Sequence, residues 1–137
     1  MYGNNALTKA AGNFGHYREM VPMLLQAGID PNAKVGSSGQ INSTAFGKVT
    51  TQALQTQSEE DYRIIELFLE KGADANLSTK NGTTPLIQAA YKGNVELAKL
   101  FLAYGADPTL KDKTGKTALD MAKQKGHQET IQLLTQQ

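Results

Sequence analysis

Gly72-Ala73-Asp74 returns as Gly105-Ala106-Asp107, a step of 33 residues. Gly82, Thr84, Leu86, Ala89 and Gly93 return at Gly115, Thr117, Leu119, Ala122 and Gly126, again a step of 33. Two independent sets of anchors with one period describe a chain of stacked supersecondary units. Each unit is too small to bury its own apolar face and is completed by its neighbour. This period constrains the fold more than any bulk property of the 137-residue chain.

Each anchor has a physical task. In Asn81-Gly82-Thr83-Thr84-Pro85-Leu86, Gly82 supplies a turn with positive φ. Thr84 is placed to cap a helix, and Pro85 to occupy its first position, where the missing N–H costs nothing. Leu86, Ala89 and Ala90 form an apolar stripe at helical spacing, and the small alanines allow close helix approach. Gly93 ends this helix. Val95, Leu97, Ala98, Phe101 and Leu102 form a second stripe, closed by Gly105. The unit is helix, tight turn, helix, hairpin loop.

The run from Gly82-Thr83-Thr84-Pro85-Leu86 through Ala89-Ala90, Gly93-Asn94 and Leu100-Phe101-Leu102 to Gly105-Ala106-Asp107 closely resembles the ankyrin repeat. The resemblance implies an all-α solenoid of antiparallel helix pairs joined by β-hairpin-like loops. It covers nearly the whole chain, read as one domain over 1–137 with units at about 4–34, 35–78, 79–111 and 112–137.

The units are unequal. The first opens directly in its first helix, has two extra residues around Phe14-Gly15, and carries Pro22 inside its second helix, where a lost backbone bond is expected to bend it. The second opens at Thr44-Ala45-Phe46-Gly47-Lys48-Val49-Thr50 and holds about seven extra residues before Ile64-Ile65. Seven residues make about two helical turns, so both its helices are expected to be one turn longer than their counterparts. The hairpin before it, around Ser37, Ser38, Gln40 and Ile41, is also about four residues longer. The third unit is nearly ideal. The fourth, with Gln124, Lys125, Gln128, Gln132, Gln136 and Gln137, has the polar outer side of a terminal cap.

Several function classes lose support. The chain has no Cys, which removes disulfides, thiol nucleophiles and Cys-based zinc sites. Residues 95–106 are the most apolar stretch, but Glu96 and Lys99 interrupt it and it is too short to span a bilayer. Met1-Tyr2-Gly3-Asn4-Asn5 does not open a signal peptide, and the expected location is cytoplasmic, or that of an effector exported without a recognisable signal. There is no Gly-Lys-Ser/Thr phosphate loop, and Gly36-Ser37-Ser38-Gly39 reads as a hairpin tip. His16 and His127 fall in the first and last units, which do not touch in a solenoid, and both read as structural. Glu59-Glu60-Asp61 reads as the acidic first turn of a helix, favoured by the helix dipole, because adjacent helical residues diverge too far to share a metal ion. Asp74 and Asp107, in the Gly-Ala-Asp turns, are expected to bond backbone amides. We expect no enzyme activity, no catalytic residue, no metal and no cofactor.

Charge is distributed unevenly. Net charge is +1, but residues 1–77 sum to −2 and residues 78–137 to +3. The resemblance implies that partners meet the hairpin tips and the exposed end of each first helix. In the third unit these positions hold Lys80, Asn81, Thr83, Tyr91 and Lys92, and in the fourth Lys113, Thr114, Lys116, Gln124 and Lys125. Ser37, Ser38, Gln40 and Ile41 would add a wall at the other end of the groove. The expected function is protein–protein interaction by a monomer, through a concave face suited to an acidic partner surface. The alternatives are a polyanion (nucleic acid or anionic lipid) held by the same lysines, or an inhibitor or immunity protein that occludes an enzyme. Near-neutral net charge and the absence of Arg from the patch weigh against nucleic acid. Ile87 stands where the family usually has His in its Thr-Pro-Leu-His signature, and Thr8, Gly47 and Asp120 stand there in the other units. The resemblance therefore implies weaker hydrogen bonding between repeats than the family norm.

Overall fold

The computed structural model describes residues 16–32 and 44–137. Seven α-helices lie among them: α1 (Tyr17–Gln26), α2 (Ala45–Thr56), α3 (Glu59–Glu70), α4 (Pro85–Lys92), α5 (Val95–Ala103), α6 (Ala118–Lys125) and α7 (Gln128–Thr135). The described residues contain no β-strand. The chain divides into two compact units, Met1–Asp74 and Ala75–Gln137. The two extra residues expected around Phe14-Gly15 and the long hairpin around Ser37, Ser38, Gln40 and Ile41 lie outside the described residues.

In the first unit, α3 packs against both α1 and α2. Thr44 caps α2, its hydroxyl accepting from the Gly47 N–H at 3.0 Å. Val21, Leu25, Phe46, Val49, Ala53, Ile65 and Phe68 form the core, with the rings of Phe46 and Phe68 tilted at a centroid distance of 5.7 Å. Thr50 is buried among them, and its hydroxyl donates to the Phe46 carbonyl at 2.8 Å, so no polar group is left bare. The extra residues fall where expected. Helix α2 has 12 residues against 8 in α4, and α3 has 12 against 9 in α5. The added residues extend the C-terminal end of α2 and the N-terminal end of α3, so the pair is longer at its shared tip. Between the two helices Gln57 takes φ 51°, a left-handed backbone that the regular repeats give to Gly93 and Gly126.

The second unit holds the two regular repeats. Helix α4 packs on α5 and α6, and α7 packs on α5 and α6. Thr84 caps α4 with Pro85 at the first position, and Thr117 caps α6 in a reciprocal box with Asp120, as the turn chemistry requires. Asn94 caps α5 through the Leu97 N–H at 3.0 Å. The expected stripes point inward: Leu86, Ala89 and Ala90 are buried, as are Leu97, Ala98 and Phe101. Ile87 is buried too, at 1% exposure, so the place of the family's His is filled by packing.

Side chains also stitch one repeat to the next. Asn32 donates to the Gly72 carbonyl (2.8 Å) and accepts from the Asp74 N–H (2.8 Å). Asn76 does the same one repeat later, with Gly105 (3.1 Å) and Asp107 (2.6 Å). Each asparagine thus clamps the glycine turn that closes the following repeat.

Candidate functional site

The hairpins of the second unit hold their shape through short polar bonds. The Thr79 N–H donates to the Thr83 carbonyl at 3.0 Å, and Thr79 Oγ1 accepts from the Asn81 and Thr83 amides. One repeat on, Asp112 Oδ1 accepts from the Thr114 amide, the Thr114 hydroxyl and the Lys116 amide at 2.8, 2.6 and 3.1 Å. The Thr114 hydroxyl, then the Lys116 amide, hold the Asp112 carboxyl below the usual carboxylate range. Adjacent tips join directly, the Lys113 N–H donating to the Asn81 carbonyl at 2.9 Å.

The first-helix ends are joined as well. Tyr91 and Lys92 finish α4, and Gln124 and Lys125 finish α6. The Lys125 ammonium lies 4.5 Å from the centroid of the Tyr91 ring. Lys116 reaches from its hairpin to the Gln124 side chain. The structure therefore brings Asn81 to Lys113, Tyr91 to Lys125 and Lys116 to Gln124. Lys80, Asn81, Tyr91, Lys92, Lys113, Thr114, Gln124 and Lys125 are exposed, and Thr83 and Lys116 half-buried. The two ion pairs among the described residues both belong to Arg18, so none of these lysines is paired with a carboxylate. The acids on the same segments are engaged with the backbone: Asp112 as above, and Asp120 by the Thr117 amide at 3.0 Å, the bond that does most to lower its pKa. Ser37, Ser38, Gln40 and Ile41, the remaining expected contacts, lie outside the described residues.

Both histidines stand at the N-cap of a second helix, His16 before α1 and His127 before α7. His127 Nε2 lies 3.0 Å from the Tyr91 carbonyl oxygen, which only accepts, so the imidazole donates there. Its role is structural. Asp107 accepts from the Thr109 hydroxyl and amide, the turn role expected of it, and the hydroxyl does most to lower its pKa.

Residues 52–137 match the family described as "Ankyrin repeats (3 copies)", and residues 2–35 match "Ankyrin repeat". The chain belongs to the ankyrin-repeat family. Residues 36–51 lie between the two matches, over the sequence of the lengthened hairpin that precedes the second repeat, while the extension of α2 and α3 falls inside the longer match. No curated protein matches the chain. Ankyrin repeats generally mediate protein–protein interaction, and proteins built of them are typically non-enzymatic binding scaffolds. Among the described residues, no helix is long and apolar enough to cross a membrane, and no group of three or more His, Asp or Glu is placed to hold a metal ion.

The acidic run of this ankyrin protein forms the first turn of α3, as expected, but Asp61 does more than complement the helix end. It is fully buried and accepts from the Tyr17 hydroxyl, the Thr56 hydroxyl and both Nε and Nη2 of Arg18. Burial by itself raises the Asp61 pKa. The bonds from Arg18, Thr56 and Tyr17 together outweigh it, so the carboxyl titrates below its usual range. Burial, then the bond to Asp61, raise the Tyr17 pKa, and the bond to Asp61 raises that of Arg18. The signal was present in the sequence: Asp61 continues the inward stripe of Ile64, Ile65 and Phe68 at helical spacing. Asn32 and Asn76 had a signal too, each standing two residues after the Asp of a Gly-x-Asp turn. Near α1 and α3, Pro22, Ile64 and Leu67 with Arg63, Glu66 and Glu70 line an open hollow of about 270 Å³.

Proposed function

We propose that this protein binds an acidic partner protein through the hairpin tips and first-helix ends of its last two repeats. One observation carries the reading. Lys80, Lys92, Lys113, Lys116 and Lys125 stand on that face without an ion pair, while the acids of the same segments are occupied by backbone N–H groups. A surface whose cations have no carboxylate partner, and whose anions are engaged with amides, is electrostatically complementary to an acidic one, which speeds encounter and excludes basic competitors. The face is braced by bonds between repeats, so little backbone change is needed on binding. Thr83, Asn81, Thr114 and Gln124 provide polar contacts at its rim. Ser37, Ser38, Gln40 and Ile41 remain candidate contacts from the long hairpin, and we hold the protein to act as a monomer.

The test is capture of partners from the native source by wild-type protein and by a variant with Lys80, Lys92, Lys113 and Lys116 changed to Glu. The variant is expected to lose the partner. Unchanged capture removes the lysine face from the function. The same partner should dissociate with added salt over a modest range, whereas a nucleic acid would show the steep salt dependence of counterion release.

A further inference from the structure

Of the contact residues on this face, Tyr91 alone is aromatic. It keeps 44% of its surface exposed at the end of α4. The following repeat grips it in two ways. The Lys125 ammonium sits over its ring at 4.5 Å, and His127 Nε2 donates to its backbone carbonyl at 3.0 Å. The His127 ring is itself seated against Gly93, where a side-chain carbon would come within 2.5 Å of Nδ1. Ring and backbone are therefore held before any partner arrives, and the ordering cost that weakens a flexible contact is already met. An exposed tyrosine held in place is the kind of residue that dominates binding energy at an interface.

Chemistry around the ring limits what can lie on it. A purely acidic segment satisfies the ammonium groups of Lys125 and of the neighbouring Lys92 but leaves the aromatic surface in water. A purely apolar segment covers the ring and leaves the cations without partners. We infer that Tyr91 is the apolar anchor of the site, and that the partner presents an acidic segment interrupted by one apolar side chain. That side chain lies on the Tyr91 ring, and a carboxylate beside it meets the Lys125 ammonium. The inference rests on the proposed binding of an acidic protein at this face and names the sequence character of the segment that docks there.

Two short synthetic peptides serve as probes, one of Asp and Glu alone and one identical except for a central Leu. Their affinities for the full chain are measured by fluorescence anisotropy, with wild type, Tyr91→Ala, Tyr91→Phe and the four-lysine charge-reversal variant. Thermal melts show that each variant is folded. Wild type and Tyr91→Phe are expected to bind the Leu peptide about tenfold more tightly than the all-acidic one. Tyr91→Ala is expected to bind both equally, at the all-acidic affinity. Equal binding of the two peptides by wild type overturns the anchor. If charge reversal then abolishes both, the acidic-partner reading stands without it. Failure of both peptides to bind overturns both, and tighter binding of a single-stranded oligonucleotide than of either peptide overturns the choice of a protein segment.

Discussion

The imidazole of His127 fills the space that a side chain at Gly93 would need: a Cβ there would lie 2.5 Å from Nδ1 and 2.7 Å from Cγ. Gly93 is thus required twice, once by its left-handed backbone (φ 71°) and once by this contact. Gly126 has the same backbone (φ 73°) with open space around it. Gly126→Ala is expected to cost about 1 kcal/mol, the backbone penalty alone. Gly93→Ala should cost about 2–4 kcal/mol, because overpacking is added to it. In a double-mutant cycle followed by chemical denaturation, His127→Ala should recover most of the difference; additive effects would contradict the contact.

Asn76 is expected to be a stability residue without any part in binding. Asn76→Ala removes its bonds to Gly105 and Asp107 and should destabilise the second unit by about 1–3 kcal/mol. Amide exchange at Asp107, whose N–H loses its acceptor, should rise beyond the global change. Unaltered exchange there would show that the clamp contributes nothing.

Thr130 is fully buried in α7, and its hydroxyl has no hydrogen-bond partner. The 33-residue step places it where the preceding repeats carry Leu97 and Ile64. Thr130→Val keeps the shape and removes the unmet hydroxyl, so we expect a gain of about 1 kcal/mol in denaturant unfolding. A loss of stability would mean that the hydroxyl is bonded in solution.

Asp61 should make the first unit acid-sensitive. Its folded pKa is depressed, so its stabilising contribution is complete above the unfolded-state value of about 3.9 and is lost as pH falls through the folded value. Unfolding of the first unit should therefore become easier below about pH 4. Asp61→Asn should abolish that pH-dependent component and destabilise the protein at neutral pH by about 1–3 kcal/mol, because the buried donors around it lose a charged acceptor. An acid profile identical to wild type would assign the sensitivity to other groups.

The 33-residue step, the caps at Thr84 and Thr117, and the two turns added to the second repeat were all legible in the chain. They depend on spacing along one strand of sequence and on the local preferences of Gly, Pro, Thr and Ala, which operate before any distant contact forms. The positions of the lysines on hairpin tips and first-helix ends followed from the same register. Tertiary structure decided what register cannot carry. That Asp61 turns inward to Arg18, that Asn76 closes a turn 29 residues away, and that Lys125 covers Tyr91 all depend on how one repeat is set sideways against the next. So does the fit of His127 against Gly93: the sequence marks Gly93 as a helix stop, but only the packing of two repeats shows that its missing side chain is a socket.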